Sequence, residues 1–277
     1  MGMKMEKDKR YISPGGWFSL SYPAAWSEFE DGEDSFLFYN PDVWTGNFRI
    51  SAYRGEGAYA DECLFRELKE NPQARKVQVG TLPCAYSTED FEEDGEAYTT
   101  HFWVTGRKDV SFECSFTVKK GGAVDEAERI IRSLEVRDAN VKYLPELIPV
   151  RLLEIYRINE AYEWLSGKVK DVLKKDFQGE ESDIDSMQQL IDKALFAPKK
   201  RDAWLSIGIV LCVILANEVD GMEWRTLVDG NREAPVLLQV DTGVVIDPMK
   251  LVWSKVRVQE EIHLAAIYED AWHQLEH

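Results

Sequence analysis

The sequence predicts an α+β protein in which two units follow one another along the chain. Segments with the period-two alternation of half-buried strands dominate residues 17–118, and the apolar spacing of helices dominates residues 150–219. Between them lies V-K-Y-L-P-E-L-I-P (141–149), whose two prolines indicate an extended linker. A length of 277 residues also suits two domains. We therefore expect domains at 1–139 and 150–277, joined by a linker at 140–149.

The clearest strand pattern is V-S-F-E-C-S-F-T-V, residues 110–118. Its large apolar side chains alternate with Ser, Glu and Thr, as in a strand of an antiparallel sheet with one buried face. Further strands are expected at 17–22, 35–39, 48–53, 76–79, 84–89 and 97–104, and helices at 58–70 and 124–134. Because hairpins dominate, the economical fold is an antiparallel sheet with two helices packed on it.

This half also carries a family resemblance. The opening W-F-S-L-S-Y-P-A-A-W (17–26), followed by F-L-F-Y-N-P and F-R-I-S-A-Y, resembles the start of PsbP-like domains. The closing amphipathic helix, ending I-I-R-S-L-E-V, is similar too. The resemblance covers roughly residues 11–137 and implies a PsbP-like fold. It implies binding to other proteins far more than catalysis, and it transfers no catalytic residue.

The C-terminal half reads as a helical bundle with a small three-stranded antiparallel sheet. A long helix is expected at 150–175, a second after the N-cap candidates Ser182 and Asp183, and a buried helix at 201–219. The most apolar run, 204–216, is too short to span a bilayer. Strands are expected at 222–228, 234–240 and 243–246, and a long helix from Pro248.

A second resemblance covers about residues 185–260. The segments G-M-E-W-R-T-L-V-D-G, P-V-L-L-Q-V and V-V-I-D-P, which follow the buried helix, resemble an uncharacterised bacterial domain family of no known activity. That family commonly has two glycines in the buried helix. Here only Gly208 is present, with Cys212 at the next position, so we expect less close helix packing there.

The net charge of the chain limits the classes of partner that it can bind. It has 33 basic and 50 acidic residues, a formal net charge of −17, spread over both halves. Such a surface repels nucleic acid and anionic membranes, so we expect neither as a partner. The acidity serves solubility, or it steers a basic protein partner to the surface.

The cysteines Cys63, Cys84, Cys114 and Cys212 are widely spaced and form no C-x-x-C pair. We therefore expect free thiols, no metal and no cofactor. The first ten residues have no apolar segment after them, so we expect no signal peptide and a cytoplasmic protein.

The densest charge cluster is T-E-D-F-E-E-D-G-E-A, residues 88–97. Counted from Asp90, its spacing begins like a calcium loop, but the twelfth position, which should be a bidentate Glu, is His101. Asp94-Gly95 between alternating segments is instead a strong hairpin signal. We predict a strongly negative hairpin tip.

No histidine stands in a catalytic or metal-binding pattern. His101 shares a strand face with Thr99 and Trp103, and no nucleophile or carboxylate partner is implied by spacing, which favours a sheet-face histidine over a general base. His263 and His273 are ten apart, so they form no i, i+4 pair. No site is predicted at His277. P-loop, G-x-G-x-x-G, H-E-x-x-H and G-x-S-x-G motifs are all missing from the sequence.

Two further positions have the character of binding hot spots. Trp44 stands in a loop bounded by Pro and Gly, and Arg225 follows Trp224 beside a turn. Core packing is the favoured interpretation for Trp224.

These observations favour a non-enzymatic protein-binding module, of adaptor or immunity type, for a basic partner. The alternative is a hydrolase or small-ligand enzyme with a site between the domains, holding His101 or a buried carboxylate pair. The candidate partner-binding residues are Glu92, Glu93, Asp94, Trp44 and Arg225.

Overall fold

The computed structural model describes residues 8–32, 34–138, 140–230 and 232–275. The expectations for most of the N-terminal ten residues and for His277 lie outside these ranges. The chain forms two compact units, Met1–Tyr143 and Leu144–His277. Both combine antiparallel sheets with helices, which confirms the α+β class.

The N-terminal unit is mostly strand. Its strands are β1 (Lys9–Ile12), β2 (Phe18–Tyr22), β3 (Ser27–Gly32), β4 (Ser35–Tyr39), β5 (Asn47–Arg54), β6 (Arg75–Val79), β7 (Leu82–Glu93), β8 (Glu96–Arg107), β9 (Val110–Lys119) and β10 (Glu135–Val136). Helix α1 (Tyr59–Glu70) follows β5, and α2 (Asp125–Arg132) follows β9.

These strands form two antiparallel sheets. The larger has seven strands in the order β3-β4-β5-β9-β8-β7-β6, and the smaller has the order β1-β2-β10. The predicted alternation in β9 is confirmed, since Val110, Phe112, Cys114, Phe116 and Val118 are all buried. They pack in one core with residues of β1, β2 and α2, such as Tyr11, Phe18 and Ile130. Burial of these large side chains is the dominant stabilising term.

The C-terminal unit is mostly helical. Its helices are α3 (Leu152–Leu173), α4 (Ile184–Asp192), α5 (Arg201–Glu218), α6 (Ser254–Arg257) and α7 (Leu264–Leu275), and its strands are β11 (Glu146–Pro149), β12 (Met222–Asp229), β13 (Arg232–Gln239) and β14 (Val245–Ile246). The strands form one antiparallel sheet in the order β11-β12-β13-β14. The core is centred on α5, where Val210, Ile214 and Leu215 are fully buried.

The prediction of a three-stranded sheet is wrong, because this sheet has a fourth strand. The segment 141–149 was expected to be an extended linker and the sheet to have three strands, but Glu146–Pro149 pairs with β12 from Glu146↔Val228 to Pro149↔Arg225. Pro149 is tolerated because β11 lies at the sheet edge, where one side of the strand needs no hydrogen-bond donor.

A buried ion network fixes the start of α3 against this sheet. Arg151 donates to both carboxylate oxygens of Glu154 at 2.8 Å and to Glu233 of β13 at 2.8 Å. The hydroxyl of Thr226 in β12 donates to Glu154 at 3.1 Å and accepts the Arg151 backbone N–H at 3.0 Å. Arg151 and Glu154 are almost fully buried, so removing Arg151 would leave the buried Glu154 carboxylate without its main charge partner.

The prediction of one long helix from Pro248 is also wrong. A π-helical segment at Met249–Trp253 runs into α6, and the chain then leaves the helix at Gln259, whose φ is +62°. Gln188 of α4 explains the break, because its side chain accepts the backbone N–H of Leu264 at 2.9 Å and donates to the carbonyl of Ile262 at 3.0 Å. These tertiary hydrogen bonds hold the segment before α7 in a non-helical path.

Close packing does occur at Gly208, against expectation. A Cβ at this position would lie 2.3 Å from the carbonyl oxygen of Pro248. Cys212, one turn later, is fully buried without any need for a glycine. One glycine is therefore enough for the backbone of α5 to touch the segment that precedes the π-helical turn.

Among the described residues, no helix has the length and apolar character required to cross a membrane.

We predict that Gly208→Ala destabilises the C-terminal unit by at least about 2 kcal/mol, because the added methyl group overpacks against backbone. The matched control is Gly167→Ala in α3, where nothing lies within 4 Å of the added Cβ. That change should stabilise by about 0.5–1 kcal/mol, since alanine is the better helix former. Urea unfolding followed by circular dichroism measures both. Equal effects of the two substitutions would contradict the close contact at Gly208.

Candidate functional site

The acidic stretch forms the predicted hairpin between β7 and β8. Glu93 pairs with Glu96, and Asp94 and Gly95 make the two-residue turn with φ of +52° and +80°. Two successive positive φ values are the geometry of a type I′ turn, which matches the right-handed twist of the flanking strands. The Asp-Gly sequence forms this turn because Gly adopts positive φ without strain and Asp tolerates it.

The five carboxylates from Asp90 to Glu96 fall into two groups. Asp90 is paired with Lys120 at 2.7 Å and accepts the hydroxyl of Thr99 at 2.6 Å, and Glu96 is paired with Lys119 at 2.8 Å. These contacts lower the pKa of both carboxyl groups. The other group, which we call the acidic tip, consists of the exposed residues Glu92, Glu93 and Asp94 and takes no part in these ion pairs.

An aromatic cluster lies beside the acidic tip. Phe91 of β7 and Tyr98 of β8 are cross-strand partners whose rings stack with centroids 5.5 Å apart. Trp44 meets the Tyr98 ring edge-on, with centroids 5.9 Å apart. Trp44 is 43% exposed and Phe91 is 37% exposed, which is high for such large apolar side chains. We call these three residues the aromatic ladder.

The loop that carries Trp44 is fixed on both sides. At its start, the side chain of Asn40 accepts the backbone N–H groups of Asp42 and Val43 at 3.0 and 3.3 Å. At its end, Gly46 has φ of +124°, and a Cβ there would lie 2.3 Å from the ring of Phe116. Only glycine fits this close approach. The loop therefore places Trp44 against Tyr98 from a distant part of the sequence.

The structure thus brings together four of the five candidate residues. Trp44 contacts Tyr98, and the acidic tip directly follows Phe91 in the same hairpin. Arg225 belongs to the C-terminal unit, where it pairs with Glu223 at 2.5 Å, and Trp224 beside it packs against the core of that unit.

Sequence reasoning missed Phe91 and Tyr98, although a signal was present. Phe91 lies three residues before Asp94, and Tyr98 lies three residues after Gly95. In a two-residue hairpin these positions are necessarily cross-strand partners, so the aromatic pair follows from the turn.

His101 lies on the opposite face of the hairpin, as its alternation predicted. Its Nδ1 is 2.7 Å from the hydroxyl of Tyr86, and its ring is close to parallel with those of Tyr86 and Trp103, with centroids 6.0 Å from each. Partial burial lowers the pKa of His101, and the charge of Asp90 opposes this in part. The neighbours of this histidine in the sheet are aromatic, which suits a neutral ring packed on the sheet.

The model of a domain of unknown function, DUF3805, matches residues 6–159. The chain belongs to this family. A second domain of unknown function, DUF3806, matches residues 183–268. It coincides with the segment whose resemblance to an uncharacterised domain family was predicted.

Solved structures extend the comparison. A crystal structure from Bacteroides thetaiotaomicron VPI-5482 is 57% identical, over 96% of this chain and 98% of that chain, with a TM-score of 0.93. The PsbP of Synechocystis sp. PCC 6803 is 14% identical, over 50% of this chain and 96% of that chain, with a TM-score of 0.28. LpqN of Mycobacterium tuberculosis, involved in cell envelope biogenesis, is 14% identical, over 48% and 91%, with a TM-score of 0.30.

A PsbP protein is thus among the solved structures that this chain matches at low identity. No curated protein matches the chain.

We predict that His101 titrates below its ordinary pKa of about 6.5. Above that pH the residue is neutral in both the folded and unfolded states. Below it, the unfolded chain binds a proton before the folded chain does, so stability falls as the pH drops toward the folded pKa. NMR titration of the imidazole protons measures the value directly.

Neutralising Asp90 tests how much its charge opposes the lowering of the His101 pKa. Asp90→Asn should lower the pKa of His101 further, because the charge that opposes the desolvation is lost. Glu89→Gln, the neighbouring carboxylate on the other face of β7, is the control and should leave it unchanged. A titration at or above the ordinary value would contradict the desolvated environment.

Proposed function

We propose that this protein is a non-enzymatic binding module, of adaptor or immunity type, and that a basic protein docks on the aromatic ladder and the acidic tip. The observation that carries the proposal is the adjacency of these two features on one end of the large sheet. Charge alone would serve solubility, and exposed aromatic rings alone would be a liability in water. Together they form a surface with an apolar anchor and a charged rim.

The aromatic ladder supports the proposal through its geometry. Trp44 and Phe91 are partly exposed while their contacts with Tyr98 hold them in place. Rings that are already held lose little conformational entropy when a partner covers them. Trp and Tyr are also the residues that most often dominate the binding energy of an interface.

The acidic tip supports the choice of a basic partner. Glu92, Glu93 and Asp94 project from the end of a hairpin, where solvent surrounds them. The net charge of −17 strengthens the negative potential of the whole molecule. Such a field accelerates association with a basic protein and disfavours acidic ones, and salt screens it.

We predict that the triple variant Glu92→Gln, Glu93→Gln, Asp94→Asn weakens the complex and makes its affinity less sensitive to salt. The protein would be immobilised, partners from the native host captured at low and high salt, and the captured protein titrated by calorimetry. The matched control is Glu163→Gln, Asp171→Asn, Asp176→Asn, which also removes three exposed carboxylates but lies in the C-terminal unit.

The tip variant should lose about tenfold or more in affinity at low salt, mostly in the association rate, and the control variant little. If no protein co-purifies at either salt, or if both triple variants weaken binding equally, the proposed surface is wrong.

We predict a different signature for Trp44→Ala. Because it removes an apolar anchor and no charge, it should cost about 2 kcal/mol or more of binding free energy, at low and high salt alike, and should act on the dissociation rate. Val43→Ala, the exposed neighbour in the same loop, is the control and should cost much less. Surface plasmon resonance measures both rates. If Trp44→Ala binds the partner with wild-type affinity, the aromatic ladder is not part of the interface.

A further inference from the structure

A groove with acidic walls, which we call the acidic groove, runs along one face of α7 in the C-terminal unit. Two adjoining cavities of about 220 and 410 Å³ form it, and both are lined by Glu181, Tyr268 and Glu269. At about 1.5 Å per residue, the stripe of α7 that faces the groove is about 12 Å long. Its members recur at the three- and four-residue spacings of one helix face: Ala265, Tyr268, Glu269, Trp272 and His273.

The opposite wall of the groove is held in place by a buried carboxylate. This wall is formed by a short helical turn, Glu181–Asp183, and by the first residues of α4. Asp183 accepts the backbone N–H groups of residues 178–180 at 2.8, 2.8 and 3.2 Å, which fixes the turn. The hydrogen bonds of Gln188 with the segment before α7 join α4 to the first wall. The groove is therefore formed before any ligand arrives.

The carboxylates of the groove have no basic partner among the described residues. Glu181, Asp185 and Glu269 are exposed, and no described Lys or Arg lines either cavity. Within the same part of the chain, no three His, Cys, Asp or Glu side chains come close enough together to hold a metal ion. Carboxylates that are spread along a groove suit an extended organic cation better than a single ion.

The hydroxyl of Tyr268 is the second feature that indicates a ligand. Tyr268 is 4% exposed, and its hydroxyl forms no hydrogen bond with any described residue. Burial raises the pKa of Tyr268 to about 12, with smaller contributions from the charges of Glu181 and Glu218. The hydroxyl therefore lies on the side of α7 that faces Glu181, in the wall that both cavities share. A buried hydroxyl without a partner has a desolvation cost, which a bound N–H donor would offset.

We propose that the acidic groove binds a short aliphatic polyamine. An ammonium group has three N–H donors, so one such group can donate to Glu181 and to the Tyr268 hydroxyl together. A second ammonium group reaches Asp185, which lies one helical turn beyond Glu181 in the same wall. The methylene groups between them pack on the apolar surface of the α7 stripe. The larger cavity also lies within the roughly 300–1,000 Å³ that small-molecule sites occupy.

Isothermal titration calorimetry of the full chain tests the proposal. The titrations use about 150 mM sodium chloride, because salt screens weak attraction to the general negative charge of the surface. The probes are 1,4-diaminobutane, the monoamine n-butylamine, the neutral 1,4-butanediol and calcium chloride. We expect one saturable site for diaminobutane, binding of butylamine that is about tenfold weaker or more, and none of butanediol. Calcium chloride should not displace diaminobutane.

Two substitutions remove the charges that hold the ligand. Glu181→Gln and Glu269→Gln should each weaken diaminobutane binding by about tenfold or more, as expected for loss of a charge-assisted hydrogen bond. The matched control is Asp270→Asn, which removes an exposed carboxylate of the same helix that lines neither cavity of the groove. It should bind diaminobutane as the wild type does.

Tyr268→Phe separates binding from a structural role. This change removes only a hydroxyl that has no hydrogen bond to the described residues, so the thermal unfolding midpoint of the free protein should stay the same or rise. Diaminobutane affinity should nevertheless fall about fivefold or more. A lower unfolding midpoint with unchanged affinity would show that the hydroxyl serves the fold and not the ligand.

The proposal is overturned if diaminobutane does not bind at millimolar concentration. It is also overturned if Glu181→Gln and Glu269→Gln bind no more weakly than Asp270→Asn, since the contact would then be with the general surface charge. Equal affinity for butylamine and diaminobutane would replace the polyamine by a monoamine. Displacement of diaminobutane by calcium chloride would replace it by a metal ion.

Discussion

The register of the β7–β8 hairpin is the constraint on which the candidate surface depends. Asp94 and Gly95 both occupy positive φ, which fixes a two-residue turn and therefore every cross-strand pair behind it. Since side chains alternate faces, a slip of one residue would move Phe91 and Tyr98 to the side that His101 and the buried Trp103 now occupy. The turn thus decides which face of the large sheet carries aromatic rings and which contributes to the core.

The strand β8 also has charged residues of opposite sign at its two ends. Glu96 adjoins the acidic tip, and Arg107 adjoins the turn into β9. Hairpin turns end the strand at both points, so the charged groups there lie where solvent and ligands can reach them.

Much of the fold was predictable because alternation and helical spacing report burial directly. The pattern of β9 and the apolar face of α2 each emerged where expected. The strands that were missed are short or polar. Lys9–Ile12 has four residues, Ser27–Gly32 is rich in acidic residues, Glu135–Val136 has two residues, and Glu146–Pro149 contains a proline. Their pairing comes from neighbouring strands that offer hydrogen bonds, which no local pattern reveals. The break before α7 depends likewise on Gln188, far away in sequence.

The candidate sites were predictable only in part. The Asp-Gly turn and the Pro- and Gly-bounded loop of Trp44 are each predictable from local sequence. The contact between Trp44 and Tyr98 depends on the order of strands in the sheet, which local sequence does not reveal. The acidic groove gave no sequence signal, because Glu181 and Glu269 come from separate segments and form no motif. Only the folded chain places them around one groove.

The claim that a basic protein covers the aromatic ladder and the acidic tip can be tested by amide hydrogen exchange, measured with and without the partner that co-purifies at low salt. Backbone amides of the Trp44 loop (42–46) and of the hairpin turn (93–96) are near the surface, so they should exchange quickly in the free protein and report coverage clearly. We predict slower exchange in both segments together when the partner binds. Unchanged exchange in these two segments, with protection elsewhere in the chain, would contradict it.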